Sequence, residues 1–258
     1  MPDAREGDST TRFSDRVDHY VRSRPRYPPG VLRILEEETG LRPSWEVADF
    51  GSGTGISAEL FVANGNRVFA VEPNAAMRAA AEVRFRGDDR FVSVAGTAEE
   101  TGLAPGSVDL VVAAQAFHWF DTRKARVHFA RILREPRWVA LLWNRRRLRA
   151  TPFLAAYEDL LLEFGTDYQA VRHDAAGYRD PIDAFYGGRY RRRELSNEQV
   201  LDRQGLVGRL LSSSYTPAAG HPDREPMLAR LGEIFERYQS DGTVVMEYDT
   251  ELFVGRLA

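Results

Sequence analysis

Five short apolar runs punctuate the first 150 residues: WEVADF (45–50), RVFAVE (67–72), RFVSVA (90–95), SVDLVVAA (107–114) and RWVALLW (137–143). Most are separated by about 10 to 15 residues of helical pattern. A sheet with one wet face alternates apolar and polar side chains, whereas near-continuous apolar strands interleaved with helices make a parallel sheet covered on both faces. The order predicts a doubly wound α/β domain from about residue 30 to 150.

The flanking segments follow another rhythm. Residues 11–28, TRFSDRVDHYVRSRPRYP, start as a helical pattern and are stopped by Pro25, Pro28 and Pro29, because proline lacks the amide and clashes with the preceding turn. They read as an arm feeding a helix at 29–39. Thr151 and Pro152 supply an N-cap and a first-turn proline, and Phe153, Leu154, Tyr157, Leu160, Leu161 and Phe164 then recur at helical spacing. The Gly-, Asp- and Tyr-rich stretch 165–188 reads as loop, 189–195 as strand, 196–211 as a helix weakened by Gly205 and Gly208, and 223–239 as an amphipathic helix. The end, TVVMEYDTELFVGRL, alternates like a strand. Strands 189–195 and 243–254 are expected to pair and extend the sheet, with the helices between them forming a cap.

The expected architecture is therefore α/β: a doubly wound, Rossmann-like, seven-stranded and mainly parallel sheet with helices on both faces and a C-terminal helical cap insertion. The expected division is an arm or lid over 1–28, a core over 29–150, and cap helices plus final antiparallel strands over 151–258.

Composition narrows the function classes. A chain of 258 residues buries one substantial core with a small appendage. Its net charge of −3 offers no global attraction to nucleic acid or to an anionic membrane. No apolar run approaches the roughly 20 residues that cross a bilayer, and MPDAREGDST lacks the basic start and apolar stretch of a secretory signal. A cytoplasmic enzyme, monomeric or homodimeric, is the expectation. The absence of cysteine excludes disulfides and thiolate nucleophiles. His19, His118, His128, His173 and His221 include no pair three or four residues apart, so no metal is expected.

The segment carrying chemistry is VADFGSGTGISAEL (47–60). A strand ends at Asp49 and Phe50, the chain turns through Gly51, Ser52, Gly53, Thr54 and Gly55, and a helix follows. Glycine permits a tight turn and leaves no Cβ between main chain and ligand, while the next helix presents unpaired amides. Such a turn at the carboxyl end of a strand is where open α/β sheets bind nucleotides. A second strand ends in Glu72, 17 residues past Gly55, where an acid can accept from both hydroxyls of an adenosine ribose. A dinucleotide-binding dehydrogenase needs the same parts, but its G-x-G-x-x-G pattern counted from Gly51 puts Ile56 at the third glycine.

With these segments in order, the sequence resembles the class I S-adenosylmethionine (SAM)-dependent methyltransferases, in the small-molecule branch of type 11 and trans-aconitate methyltransferase-like proteins. The resemblance runs over about 13–145. VADFGSGTG is similar to the family's first motif and VFAVEPNAAM to the strand with the ribose-binding acid. AGTAEETGLAPGSVDLVVAAQAFHWFD is similar to the adenine-contacting loop and fourth strand, and YVRSRPRYP to the branch's N-terminal arm.

The resemblance implies that SAM is bound and S-adenosylhomocysteine released. Gly51, Ser52, Gly53 and Gly55 would approach the methionine part, with Asp49 holding the turn or the amino group. Glu72 and Pro73 would bind at the ribose, Met77 would pack on the adenine, Thr97 and Ala98 would border it, and Gln115 would face the methionine end. The family often has Asp where this chain has Thr97. Tyr20, Arg24 and Tyr27 of the arm would close over the cofactor, with Arg24 or Tyr20 reaching its carboxylate, or RPRYP is only a turn packed on the surface.

Methyl transfer asks the protein to align a nucleophile and exclude water; a base is needed only when the nucleophile holds a proton it does not readily lose. AQAFHWFD (114–121) follows the fourth strand at the sheet's carboxyl edge and offers His118 as that base for a hydroxyl acceptor. The same aromatic run also packs as the start of a helix. Trp119, Tyr27 and Trp143 are candidate walls of a pocket for a small acceptor methylated on oxygen or nitrogen. Two other readings stay open: a nucleic-acid methyltransferase using RRRLR (145–149) and RYRRRE (189–194) to track phosphates, and a SAM-binding protein that does not methylate.

Overall fold

A computed structural model describes residues 23–171 and 179–257. Seven strands form one mixed sheet in the order β3-β2-β1-β4-β5-β7-β6, where β1 is Glu46–Phe50, β2 Arg67–Val71, β3 Phe91–Val94, β4 Val108–Ala114, β5 Leu133–Arg146, β6 Tyr190–Leu201 and β7 Val244–Arg256. The first five are parallel: Val47 pairs with Val68 and Leu110, Val68 with Phe91, and Val111 with Val139. Strand order reverses between β1 and β4, so the carboxyl ends of these two strands flank a crevice.

By contacts the chain divides into two compact units. One comprises, of the described residues, 26–144, 179–195 and 250–257. Its helices are α1 (Gly30–Thr39), α2 (Ile56–Ala63), α3 (Ala75–Arg84), α4 (Thr122–Ile132) and, after two further helices, α7 (Asp180–Tyr186). Alternation along the strands decides which helix meets which face. Val47, Leu110, Val112, Ala140 and Leu142 pack with Val31 and Leu35 of α1 and Phe61 and Val62 of α2. The intervening Ala48, Phe50, Val111, Val139 and Leu141 pack with Phe129 and Ile132 of α4 and Phe185 and Tyr186 of α7. Strands apolar on both faces are thus sandwiched by helices, as their sequence requires.

The second unit comprises 23–25, 145–171 and 196–249 of the described residues. It holds α5 (Pro152–Phe164), α6 (Tyr168–Val171), α8 (Arg203–Leu211) and α9 (Arg224–Tyr238). Their apolar stripes close over one core that includes Leu154, Tyr157, Leu161, Leu206, Leu210, Leu231, Ile234 and Met246. Thr151 caps α5 by accepting the Leu154 amide at 3.2 Å, and Asp202 caps α8 by accepting the Gly205 amide at 2.7 Å.

Three elements depart from the sequence expectation. The stretch expected as loop over 165–188 contains α6 and α7. The helix expected over 196–211 starts only at Arg203, and its first residues instead continue β6 to Leu201. β5 begins at Leu133 rather than near 137, with a register shift between Val108 and Leu110 that absorbs the extra residues. No described helix is long and apolar enough to cross a membrane.

Candidate active site

The glycine turn is fastened to β2. The amides of Gly51 and Ser52 both donate to the Val71 carbonyl, at 2.9 and 3.2 Å, so the turn leaves β1 bound to the last residue of its neighbour. Gly51, Gly53 and Gly55 have φ of 66°, 56° and 81°, left-handed values that side chains disfavour. Space demands glycine too: a Cβ on Gly51 would lie 2.4 Å from the Ala116 Cβ, and one on Gly55 would lie 2.5 Å from the Phe85 ring. Gly51 therefore brings the turn against the segment that leaves β4.

Two buried carboxyls adjoin the turn, one bonded to it and one just before it in β1. Glu72 accepts the Gly53 amide on Oε2 at 3.0 Å and the Asn74 amide on Oε1 at 2.8 Å. Burial raises its pKa above the ordinary range, against the opposing pull of those two amides and of Arg78. Asp49 is fully buried and accepts a 2.6 Å hydrogen bond on Oδ2 from Ser57 in the first turn of α2. Burial pushes it up to about 7; the Ser57 bond resists this, and the charge of Glu72 adds to it. Asp49 Oδ1 and Thr54 Oγ1 are buried without a hydrogen-bond partner. A buried carboxyl with an unused acceptor beside a turn too tight for side chains suits a ligand that carries positive charge and donors.

The remaining cofactor residues distribute as follows. Asn74 caps α3 by accepting the Ala76 and Met77 amides, which places Met77 buried at the helix start, one turn from Glu72. Pro73 is half-buried, and its carbonyl accepts from Arg78 at 2.8 Å. Ala98 is buried, whereas Thr97 is exposed and its Oγ1 accepts the Glu99 amide at 3.3 Å. Gln115 follows β4 with a φ of 58°, and its side-chain amide donates to the Asn144 carbonyl at 2.9 Å. Asp49 thus lies in the last two residues of β1, and Glu72, Thr97 and Gln115 follow the carboxyl ends of β2, β3 and β4.

The aromatic candidates separate. Phe117–Trp119 form one 3-10 turn, with Phe117 buried, His118 exposed and its ring 4.8 Å from that of Trp119. Trp143 packs edge-on against Phe117 and Phe253 in the sheet core, and Tyr27 is buried against α1 and the strands of the opposite face. Arg24 donates to the Ser212 carbonyl at 2.5 Å within the second unit. Tyr20 lies outside the described residues.

Ser57, Asn74 and Arg78 were not singled out by the sequence. Ser57 is one of several polar residues in a helix start, and nothing in a sequence tells which of them faces a carboxylate eight residues earlier. Asn74 was findable: Asn before an alanine-rich helical run is an N-cap signal.

Among the described residues, every arginine of the two clusters except the exposed Arg189 pairs with a carboxylate. Arg145, Arg146, Arg147 and Arg149 pair with Asp249, Glu158, Glu247 with Asp249, and Asp159 in turn. Arg191 and Arg193 both pair with Glu38, and Arg192 with Glu194 and Glu251.

An open, reversed sheet with a glycine turn and buried acids at its switch point defines a nucleotide-cofactor-binding α/β enzyme. Comparison with known proteins narrows the class. Residues 48–140 match the family model described as a methyltransferase domain. An uncharacterized methyltransferase of Mycobacterium tuberculosis is similar at 31% identity over 227 residues, spanning 88% of this chain and 86% of that one. One from Schizosaccharomyces pombe is 29% identical over 133 residues, about half of each chain. In three dimensions the chain is similar to a structure described as a candidate type II methyltransferase of Anaeromyxobacter dehalogenans, with a TM-score of 0.68, 24% identity, and coverage of 91% of this chain and 98% of that one. The chain belongs to the class I SAM-dependent methyltransferases.

Proposed function

We propose that this chain binds SAM at the turn 51–55 and transfers its methyl group to an oxygen or nitrogen of a small-molecule acceptor, releasing S-adenosylhomocysteine. The observation that carries this reading is the pair of buried carboxyls, Asp49 and Glu72, behind a turn that excludes side chains. A pyrophosphate brought to this turn would meet two acids; a ligand carrying a sulfonium and an ammonium gains from them. The bound cofactor supplies an already activated methyl group. The protein's part is to hold that group in line with the acceptor and to keep water out.

In this reading Asp49 Oδ1 receives the cofactor's ammonium, Glu72 uses its remaining lone pairs for the ribose hydroxyls, and Met77 and Ala98 flank the adenine. The ion pairing of RRRLR and RYRRRE within the chain favours a small acceptor over nucleic acid, because guanidiniums already matched to carboxylates release few counterions on a phosphate backbone. Calorimetry with SAM, S-adenosylhomocysteine and NAD tests the cofactor assignment: the first two should bind and NAD should not, and tight NAD binding overturns it.

His118 serves as proton acceptor only for an acceptor group that must lose a proton. His118→Asn should then slow turnover of a hydroxyl acceptor about 10²-fold or more, with SAM affinity unchanged. Equal turnover by both proteins removes the role.

A further inference from the structure

A second buried charge cluster lies within the unit of residues 145–171 and 196–249. Arg146, at the end of β5, and Arg209, in α8, have side chains almost entirely buried among Tyr157, Tyr168, Tyr215 and Tyr248. Arg146 donates through Nη2 to Glu158 Oε2 at 2.5 Å and to Tyr168 Oη at 2.9 Å, and its Cζ stands 5.0 Å from the centre of the Tyr157 ring. Its Nη1 is buried with no acceptor, and so is the Tyr157 hydroxyl. Arg209 donates only to neutral oxygens, Nε to Tyr248 Oη at 3.1 Å and Nη1 to Ser213 Oγ at 2.9 Å. Among the described residues no carboxylate pairs with it.

A buried guanidinium matched only by hydroxyls has lost its hydration without gaining a counter-charge, which is unfavourable unless something else supplies that charge. The cluster holds two buried cations, one carboxylate that accepts on Oε2 while its buried Oε1 accepts no hydrogen bond, and two buried donor groups, Arg146 Nη1 and the Tyr157 hydroxyl, that no acceptor reaches. What is missing is an acceptor-only, negatively charged group, the description of an oxyanion, which guanidinium forks and phenol hydroxyls bind well. We propose that Arg146, Arg209 and Tyr157 form a binding site for the oxyanion of a small molecule, a carboxylate or a phosphate group.

Electrostatics at a neighbouring phenol agree. Burial alone pushes Tyr215 up, yet Arg209, Arg146 and Arg24, with a hydrogen bond from Ser213, together pull it below its ordinary value. The region around that ring is therefore net positive, and Tyr215 packs edge-on against Tyr168 at 4.9 Å.

The test uses the full-length protein without SAM, in low-chloride buffer, titrated calorimetrically with succinate and, separately, with inorganic phosphate. Saturable binding of either supports the site, and which one binds tells an organic acid from a phosphate ligand. Arg209→Met should weaken that binding at least about tenfold and raise the Tm of the ligand-free protein, since it replaces an unmatched buried charge with an apolar chain of similar length. Tyr157→Phe keeps the packing and should weaken binding about threefold to tenfold. Saturable binding by neither probe, or binding that neither substitution weakens, overturns the proposal. Because no cofactor is present, failure here leaves the methyltransferase reading intact.

Discussion

Glu72 Oε2 accepts the amide of Gly53 at 3.0 Å, so the acid just after β2 also anchors the middle of the turn that follows β1. One side chain therefore couples the shape of the turn to whatever binds beside it. Glu72→Ala should weaken SAM binding by about 1.5 to 3 kcal/mol through lost charge-assisted bonds. It should also destabilise the protein, because the Gly53 and Asn74 amides lose their acceptor. Glu72→Gln keeps one carbonyl oxygen and should sit between the two. Calorimetry and thermal unfolding read the effects separately, and unchanged SAM affinity in Glu72→Ala rejects the ribose contact.

Asp49 makes cofactor binding and stability depend on pH in opposite senses. Its folded-state pKa, pushed up to about 7 by burial, lies above the ordinary 3.8, so the folded protein prefers the neutral form. The stability this gives is complete below pH about 4 and is lost as pH rises through 7. Asp49→Asn, neutral at every pH, should thus be the more stable protein at pH 8, by about 2 to 4 kcal/mol, with the gap closing toward pH 5. A cation at Oδ1 pulls the pKa back down, so wild-type affinity for SAM should rise from pH 5.5 to 7.5, with protons released on binding. Titrations in buffers of different ionisation enthalpy would detect that release, which Asp49→Asn should lack.

Much of this core was legible because its signals are local. β1, β2 and β4 are mainly apolar segments with no competing pattern, and the φ values of Gly51, Gly53 and Gly55 are what three glycines in five residues imply. The segments misjudged are those whose conformation is decided by distant partners. Asn197, Glu198 and Gln199 have ordinary helical propensity, yet they lie in β6, at the edge of the sheet, where alternation of polar residues suffices. α7 is seven residues between Arg179 and Gly187, too short to be stable alone, and what keeps it is the burial of Ile182, Phe185 and Tyr186 in the core. At the candidate site the sequence pointed to the acids but not to their partners, since the Asp49–Ser57 bond depends on how α2 is rotated against β1.

Tyr186 measures the tertiary hold on α7. Its buried hydroxyl lies 3.1 Å from the Val139 carbonyl and 3.0 Å from that of Phe253, bridging β5 and β7 from outside the sheet. Burial raises its pKa well above the ordinary value, so it stays a donor at any working pH. Tyr186→Phe should cost about 1 to 2 kcal/mol of stability and leave SAM affinity unchanged. A denaturant midpoint that does not move would mean the hydroxyl contributes nothing.

Gly51 allows the two reasons for a glycine to be separated. An alanine there adds a left-handed φ, which costs about 1 to 2 kcal/mol, and a Cβ 2.4 Å from that of Ala116, an overlap of the kind that costs about 1 to 3 kcal/mol in a packed core. Gly51→Ala should therefore lose about 2 to 5 kcal/mol in all. Adding Ala116→Gly removes the obstructing methyl but not the φ strain, so the double variant should recover the packing part alone. The coupling energy from that cycle, expected at about 1 to 3 kcal/mol, reports how closely the turn after β1 lies against the segment after β4. Strict additivity would show that the two segments are not in contact in solution. Since these segments flank the crevice where the cofactor is proposed to sit, a positive coupling also predicts that Gly51→Ala weakens SAM binding by displacing the segment that carries Gln115, and that Ala116→Gly in the same chain restores part of the affinity.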